Sequence, residues 1–99
     1  DIRFREAIYR ATNRDQFVQL GLAGRGVVPA GPLPASLDSF QITAKESETY
    51  WAPDLNKAKQ LLSAMNYDQS KEWEVVSSNT SAVNTTWSEI WQQQLSARR

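Results

Sequence analysis

The fold prediction depends most on one stretch, residues 72–78, which reads Glu-Trp-Glu-Val-Val-Ser-Ser. Trp73, Val75 and Ser77 fall on one face of an extended chain, and the aromatic and β-branched content predicts a short β-strand. A stable fold does not leave a single strand unpaired on both edges. We therefore expect either a second strand within residues 24–53 or strand partners outside this chain, and we favour a piece of a larger structure.

Helical periodicity flanks this strand on both sides. Residues 1–23 predict a helix pair, residues 54–66 a third helix and residues 82–97 a fourth, because their apolar residues recur three and four positions apart. The apolar faces consist of Phe4, Ala7, Ile8 and Ala11; Phe17, Leu20 and Gly21; Leu55, Ala58, Leu61, Leu62 and Met65; and Val83, Trp87, Ile90, Trp91 and Leu95. The sequence thus predicts a mostly helical chain with about four helices and one or two strands.

Capping residues predict where these helices begin and end. Asp1 and Asp54 stand where N-caps are expected, and Asn13 with Gln16 forms an asparagine variant of the capping box. Asn66 tolerates a positive φ and so predicts a left-handed C-cap for the third helix.

Residues 24–53 show no convincing period and contain three of the four glycines and all four prolines. A structureless loop of this length is uncommon inside a compact domain. We expect it to lie over neighbouring structure, anchored by Phe40, Ile42, Tyr50 and Trp51.

Length and charge exclude several classes of protein. Ninety-nine residues predict one domain, without room for a second core. Eleven basic and eleven acidic side chains cancel, so no overall charge draws the chain to nucleic acid or to an anionic membrane. No apolar run approaches the ~20 residues that a membrane span needs.

The residue types of common active sites are also missing. The sequence contains no cysteine and no histidine, which argues against thiol nucleophiles and against hydrolases of the Ser-His-Asp or zinc type. The acidic pairs within residues 46–48 and 72–74 lie in polar surroundings typical of solvated surface. We expect no catalytic residue, no metal site and no cofactor.

Three arginines, Arg3, Arg10 and Arg14, recur along the predicted helix pair. A basic stripe of this kind would suit phosphates. We favour a solvated face on which these arginines pair with Glu6 and Asp15.

The aromatic residues allow two interpretations. Trp87 and Trp91 share a helical face with Ile90, which predicts core packing. Alternatively, that face docks a partner, and the chain is a small helical protein–protein interaction module. Tyr50 and Trp51 form either a ligand platform or an anchor for the long loop, and we favour the anchor.

Several segments, in order, resemble one family. Residues 1–8 read DIRFREAI and continue through residues 13–18, NRDQFV. This opening looks like the start of the C-terminal lobe in the family 5 extracellular solute-binding proteins, the peptide-binding components of bacterial ABC importers. The glycine- and proline-rich residues 24–34 are similar to an excursion in that family. Residues 54–62, DLNKAKQLL, resemble its Asp-Pro-Glu-Lys-Ala-Lys-x-Leu-Leu helix.

The resemblance continues to the end of the chain. Met65-Asn66-Tyr67 stands where Ala-Gly-Tyr is usual, so Asn66 replaces the usual glycine, and Leu55 replaces the usual helix-start proline. A strand, residues 79–81 and a helix containing Ile90-Trp91 then follow in an order like that of the oligopeptide-binding branch. Since the family is several times longer, the resemblance implies that residues 1–99 are a fragment of a single C-terminal lobe.

The resemblance implies a fold and a function. The expected fold class is α/β, as a partial lobe of a type II periplasmic-binding-protein-like fold. The parent is expected to be a non-enzymatic, periplasmic or extracellular membrane-associated protein of two lobes. It closes over a peptide or similar small solute by a hinge motion and delivers it to an ABC permease of the inner or cytoplasmic membrane.

The resemblance also implies where ligand contacts lie. The family's aspartate for the ligand ammonium is expected beyond residue 99. Within the chain, the turn after the strand resembles one that borders the cleft, which makes Asn79, Ser81 and Asn84 candidate ligand-side residues. Strand-end and helix-cap hydrogen bonding is the alternative role for them. An exposed strand at residues 73–78 would also pair edge to edge in a dimer of the fragment.

Overall fold

The computed structural model describes residues 1–98, without the side chains of Asp38 and Trp51. The helices are α1 (Ile2–Ala11), α2 (Arg14–Gln16), which continues as a π-helical stretch (Phe17–Gly21), a 3₁₀ turn (Asp38–Phe40), α3 (Ala44–Trp51), α4 (Leu55–Ala64) and α5 (Ala82–Ser96).

The core lies where α1 packs on α4. Ala7 of α1 and Ala58 and Leu62 of α4 are buried, and the small alanine side chains let the two helices approach closely. Phe4 and Met65 cover this cluster in half-buried positions. Among the described residues only Ala7, Ala58, Leu62 and Ile90 are buried apolar side chains, so the fully buried core is small.

The predicted ends of α1 and α4 are confirmed. Asp1 caps α1, and the Asp54 carboxylate accepts a hydrogen bond from the N–H of Lys57 at 2.9 Å. Asn66 adopts a φ of 51°. Around it, the N–H of Asn66 donates to the carbonyl of Ser63 and the N–H of Tyr67 to that of Leu62, both at 3.0 Å. These two bonds form a Schellman motif that satisfies carbonyls at the end of α4.

The second predicted helix differs from expectation in its last turns. Phe17 is half-buried as predicted, but Leu20 is 65% exposed and does not join a buried stripe. The chain is π-helical here, so its residues advance by a smaller angle than the α-helical spacing assumes. Within one turn, the residues predicted to form one buried face therefore no longer lie on the same side of the helix.

The predicted capping box at residues 13–16 is not formed, although Asn13 does cap α2. The Asn13 side chain accepts a hydrogen bond from the N–H of Asp15 at 3.1 Å and not from that of Gln16. The N–H of Asn13, however, donates to Gln94 of α5 at 3.0 Å instead of to Gln16. A tertiary partner therefore replaces the local one.

The predicted loop of residues 24–53 contains a helix. Thr43 and Glu46 form a full capping box at the start of α3, which the sequence interpretation missed. The proposed anchor Phe40 is wrong because it is 74% exposed, and Tyr50, another proposed anchor, is 61% exposed. The side chain of Trp51, a third proposed anchor, lies outside the described part of the structure.

The predicted strand at residues 72–78 is not formed. Within residues 1–98 there is no β-strand, so the described chain is helical and the expected α/β class is not seen in it. We call residues 72–79 the extended segment. All eight of its residues are exposed, and none of its backbone groups joins a backbone–backbone hydrogen bond within residues 1–98. A strand needs a ladder partner, and the described residues supply none.

The last helix, α5, packs against the π-helical stretch and against α1. Ile90 is buried, and Trp87 and Trp91 are half-buried as the helical face predicts. Both indoles donate internal hydrogen bonds, Trp87 to the carbonyl of Phe17 at 3.1 Å and Trp91 to the hydroxyl of Thr12 at 3.0 Å. These bonds fix α5 on the first two helices.

Candidate functional site

A groove of about 860 Å³ separates the extended segment from α5. We call it the main groove. One end of α1 contributes to it as well, so three parts of the chain form its lining. Apolar members of the lining are Phe4, Ile8, Trp73, Val75, Trp91 and Leu95.

An aromatic stack fixes the wall that carries Trp73. The ring of Phe4 lies between those of Tyr67 and Trp73, with centroid distances of 5.4 and 5.3 Å. The indole N–H of Trp73 also donates a hydrogen bond to the Tyr67 hydroxyl. Trp73 is nevertheless 60% exposed. It therefore presents an apolar surface of defined orientation to the groove.

The charged residues of the main groove are mainly acidic. Glu72 and Glu74 of the extended segment and Glu89 of α5 all line it. Arg98 lines it too, but its Nη1 donates a hydrogen bond to the carbonyl of Leu95 at 2.8 Å. The groove therefore combines apolar walls with an excess of negative charge.

The three predicted site residues occupy different positions. Asn79 is exposed and lines the main groove. Asn84 lines a smaller groove of about 290 Å³, the side groove, which also contains Val76 and Trp87. Ser81 caps α5 by accepting a hydrogen bond from the N–H of Val83 at 3.3 Å. The structure thus brings two of the three residues to grooves and uses the third as a helix cap.

The side groove lies beside the contact between the π-helical stretch and α5. There the rings of Phe17 and Trp87 meet edge to face, with centroids 6.2 Å apart. The main-chain carbonyl of Asn84 accepts hydrogen bonds from the hydroxyls of Ser88 at 2.9 Å and Ser77 at 3.5 Å. The Ser77 bond is long, but it joins the extended segment to the first turn of α5.

Sequence reasoning did not assign Trp73, Trp91 and Glu89 to a groove. Trp73 was predicted as a strand residue and Trp91 as a core residue, and periodicity alone does not show that both border the same open space. The signal in the sequence that could have indicated this groove is a tryptophan, Trp73, with acidic residues on both sides at positions 72 and 74.

The predicted arginine stripe is used internally at two positions. Arg3 pairs with Asp1 at 2.7 Å, and its Nη1 donates to the carbonyl of Ala64. Arg10 lies 3.7 Å from Glu6, an ion-pair distance too long for a hydrogen bond, and pairs with it as predicted. These contacts favour the predicted pairing over a phosphate-binding stripe, but the Arg10 side chain is mostly buried and not solvated as predicted.

One carboxylate has a clearly perturbed affinity for protons. The pKa of Asp68 is lowered, first by the hydroxyl of Ser70, which donates to the carboxylate at 2.6 Å, and second by the Ser70 N–H at 2.9 Å. Asp68 lies in an exposed turn after α4 and does not line the main groove. It is a turn-forming residue.

Within residues 1–98, no three or more potential metal-ligating side chains cluster together. In the same part of the chain, no helix has both the length and the apolar character that a membrane crossing demands.

Comparison with known proteins identifies a family. No curated protein and no solved structure matches the chain. One family model does match, that described as bacterial extracellular solute-binding proteins, family 5 Middle, and the match extends over residues 1–97. Because nearly the whole sequence is covered, in agreement with the motif resemblance, the chain belongs to the family 5 bacterial extracellular solute-binding proteins.

Proposed function

We propose that this chain supplies one wall of the cleft in which a two-lobed binding protein holds a peptide. The observation that carries the proposal is the main groove, which lies open between the extended segment and α5. Members of the family bind solutes for transport and are in general not enzymes. The restriction to peptides is our proposal.

The extended segment supports a peptide ligand. Its backbone N–H and C=O groups make no backbone–backbone hydrogen bonds within residues 1–98. An extended peptide can add alongside such a segment as a further strand, with main-chain bonds for affinity and side-chain pockets for selection. Trp73 and Val75 provide exposed apolar surface next to that edge.

We place the ligand-side contacts at Asn79 and Asn84, which lie at the main and side grooves. Asn79 is exposed and its amide carries both a donor and acceptors. Ser81 remains in the proposal only as a positioning residue, because its hydroxyl caps α5.

The parent protein follows from the same proposal. Family 5 proteins act with ABC transporters, and the family indicates an extracellular or periplasmic parent. We propose that the parent is membrane-associated, that residues 1–99 belong to its C-terminal lobe of α/β type, and that the partner is an ABC permease. In that lobe we propose that one edge of the extended segment pairs as a strand and that the edge facing the main groove is left for the peptide.

A second copy of the chain competes for the same edge. We propose that the isolated chain forms edge-to-edge dimers at high concentration through residues 73–78, because these residues make no backbone–backbone hydrogen bonds within residues 1–98. Glu74 lies within this edge, and Lys71 and Glu72 immediately precede it, which limits further growth since charges on edge strands disfavour continued pairing. Dimer formation should therefore fall when peptide is added.

The alternative of a docking module has less support. That role requires an available face at Trp87 and Trp91. Both side chains are half-buried, and both indole N–H groups donate within the chain.

The test is a titration of the 99-residue chain with a mixed pool of tripeptides to pentapeptides. Binding is measured from the changes in the amide chemical shifts of the chain. We expect shifts confined to residues 72–79 and α5, with roughly millimolar affinity because one wall buries little ligand surface. Micromolar affinity would contradict the single-wall proposal, and shifts elsewhere would contradict the site.

A proline variant makes the test specific. Val75→Pro removes one N–H from the extended segment and should abolish the shifts, because proline cannot donate to a strand ladder. Val27→Pro is the control, since Val27 is also an exposed valine in irregular chain and does not line the groove. Equal binding by both variants would exclude strand addition.

A further inference from the structure

We infer that the main groove selects an extended cationic peptide in which basic and apolar residues alternate. This inference rests on the proposed function and specifies the chemical class of its ligand. It follows from the charge of the groove, from the register of the extended segment and from the fixed position of Trp73.

The negative charge of the groove is local. Over the whole chain eleven basic residues balance eleven acidic ones. Among the described residues that line the groove, three are acidic (Glu72, Glu74 and Glu89) and one is basic (Arg98). One Arg98 nitrogen is already bonded to the carbonyl of Leu95. A basic ligand therefore meets complementary charge here, and an acidic ligand meets repulsion.

The alternation of side chains along the extended segment determines where its negative charge lies. Side chains of an extended chain alternate between two sides, so Glu72 and Glu74 share one side while Trp73 and Val75 share the other. A peptide added alongside places its own residues in the same alternation. Basic side chains two positions apart then lie beside Glu72 and Glu74, and the residues between them lie beside the apolar pair. Opposite charges in such cross-strand positions attract each other.

The apolar side of this arrangement is held in place. Trp73 stacks on Phe4 and donates to the Tyr67 hydroxyl, so its exposed ring does not need to be ordered when a ligand binds. A site with a fixed apolar wall retains more of its contact energy as affinity. The apolar residues of the peptide therefore contribute in register with the basic ones.

The experiment compares the affinities of three end-blocked pentapeptides for the 99-residue chain. Each affinity is measured from the changes in the amide chemical shifts of the chain. Lys-Val-Lys-Val-Lys should bind about tenfold more tightly than Glu-Val-Glu-Val-Glu at low salt. This ratio should shrink at high salt, because exposed charges are screened. Lys-Lys-Val-Val-Lys has the same composition without the alternation and should bind more weakly than the alternating peptide.

Two variants show which residues cause the preference for the basic peptide. Replacing Glu72→Gln and Glu74→Gln together should remove most of the preference for the basic peptide. Glu48→Gln should leave it unchanged, since Glu48 is an exposed glutamate of α3 that does not line the groove. Matching urea midpoints for the three proteins would show that the variants remain folded.

Each result bears on a separate part of the inference. Equal affinity for the basic and acidic peptides, with shifts in the extended segment, would overturn the charge preference and leave the proposed function intact. Equal affinity for the two basic peptides would overturn the alternation. A lack of shifts in residues 72–79 with every peptide would instead refute peptide binding at this groove.

Discussion

The side-chain amide of Gln94 forms two hydrogen bonds with the main chain of Asn13, one in each direction. The N–H of Asn13 donates to Oε1 at 3.0 Å, and Nε2 donates to the carbonyl of Asn13 at 3.0 Å. Asn13 lies between α1 and α2, where backbone groups lack partners inside a helix. Gln94 supplies those partners from α5 and so joins the end of the chain to its beginning.

Removal of this side chain should destabilise the fold. Gln94→Ala removes the partner of the half-buried Asn13 N–H and one hydrogen bond to the Asn13 carbonyl, and we expect the free energy of unfolding to fall by about 1–3 kcal/mol. Urea denaturation, monitored by tryptophan fluorescence, measures this free energy of unfolding. The control is Gln93→Ala, an exposed neighbour, which should change stability by less than about 0.5 kcal/mol. Similar losses in the two variants would show that the Asn13 bonds contribute nothing specific.

Gly21 is required by the position of Trp87. A Cβ atom at residue 21 would lie 2.1 Å from Nε1 of Trp87, and that nitrogen is held by its hydrogen bond to the Phe17 carbonyl. Alanine has the better helix propensity by up to ~1 kcal/mol, but forcing an indole out of place costs about 1–3 kcal/mol. We therefore expect Gly21→Ala to lower the thermal midpoint.

The matched control for this prediction is Gly31→Ala. A Cβ atom there meets its nearest neighbour, Ile42, at 3.7 Å, an ordinary contact distance. The expected change in midpoint is close to zero or slightly positive, because alanine restricts the unfolded chain. A Gly21→Ala protein as stable as Gly31→Ala would mean that Trp87 moves aside without cost.

Local signals in the sequence explain why much of the helical structure was predictable. The N-cap of α4 at Asp54 and its left-handed cap at Asn66 depend on residues within one turn, so a single sequence contains the needed information. The capping box of Thr43 and Glu46 is an equally local signal, and α3 was missed because the surrounding prolines and glycines dominated the interpretation.

Contacts between distant segments explain what was not predictable. The pattern at residues 72–78 indicates an extended chain, but whether it forms a strand depends on a partner, which is a property of the surroundings. The main groove likewise depends on Phe4 meeting Trp73, at a sequence distance that no periodicity encodes. Motif resemblance predicted Asn79 as a ligand-side residue, which stays a prediction although Asn79 lines the main groove. Ser81 serves the local capping role that was its alternative.

The attachment of α3 should depend on Arg10. This helix packs less against the other helices than α1 packs against α4. The Arg10 guanidinium donates to the carbonyls of Ala52 at 3.0 Å and Thr49 at 2.5 Å, at the end of α3. Charge-assisted bonds of this kind contribute about 1.5–3 kcal/mol. Arg10→Met keeps the aliphatic stem and should release the end of the helix.

Hydrogen exchange measures this release. Amides of residues 47–52 should exchange faster in Arg10→Met, while those of α4 keep their protection, because the loss is local. Arg5→Met is the control, since Arg5 is an exposed arginine of the same helix. Unchanged exchange at residues 47–52 in Arg10→Met would show that other contacts hold α3.

The turn after α4 should respond to acid through Asp68. Its pKa lies below the ordinary aspartate value because the hydroxyl and the N–H of Ser70 bind the carboxylate, with a further contribution from Lys71. A carboxylate with a lowered pKa in the folded state stabilises that state above the unfolded-state pKa. The contribution is lost as the pH falls through the lowered value. Because Asp68 is fully exposed, we expect a small, local effect.

Ser70→Ala tests the first of these causes. The variant removes the hydroxyl and retains the backbone N–H, so the pKa of Asp68 should rise part of the way towards its ordinary value. An NMR titration of the Asp68 carboxyl carbon from neutral to acidic pH gives the midpoint directly. Ser63→Ala, on exposed α4 surface, should leave the midpoint unchanged. An Asp68 midpoint that is the same in Ser70→Ala as in the original sequence would mean that the hydroxyl bond does not set the pKa and that the N–H and Lys71 suffice.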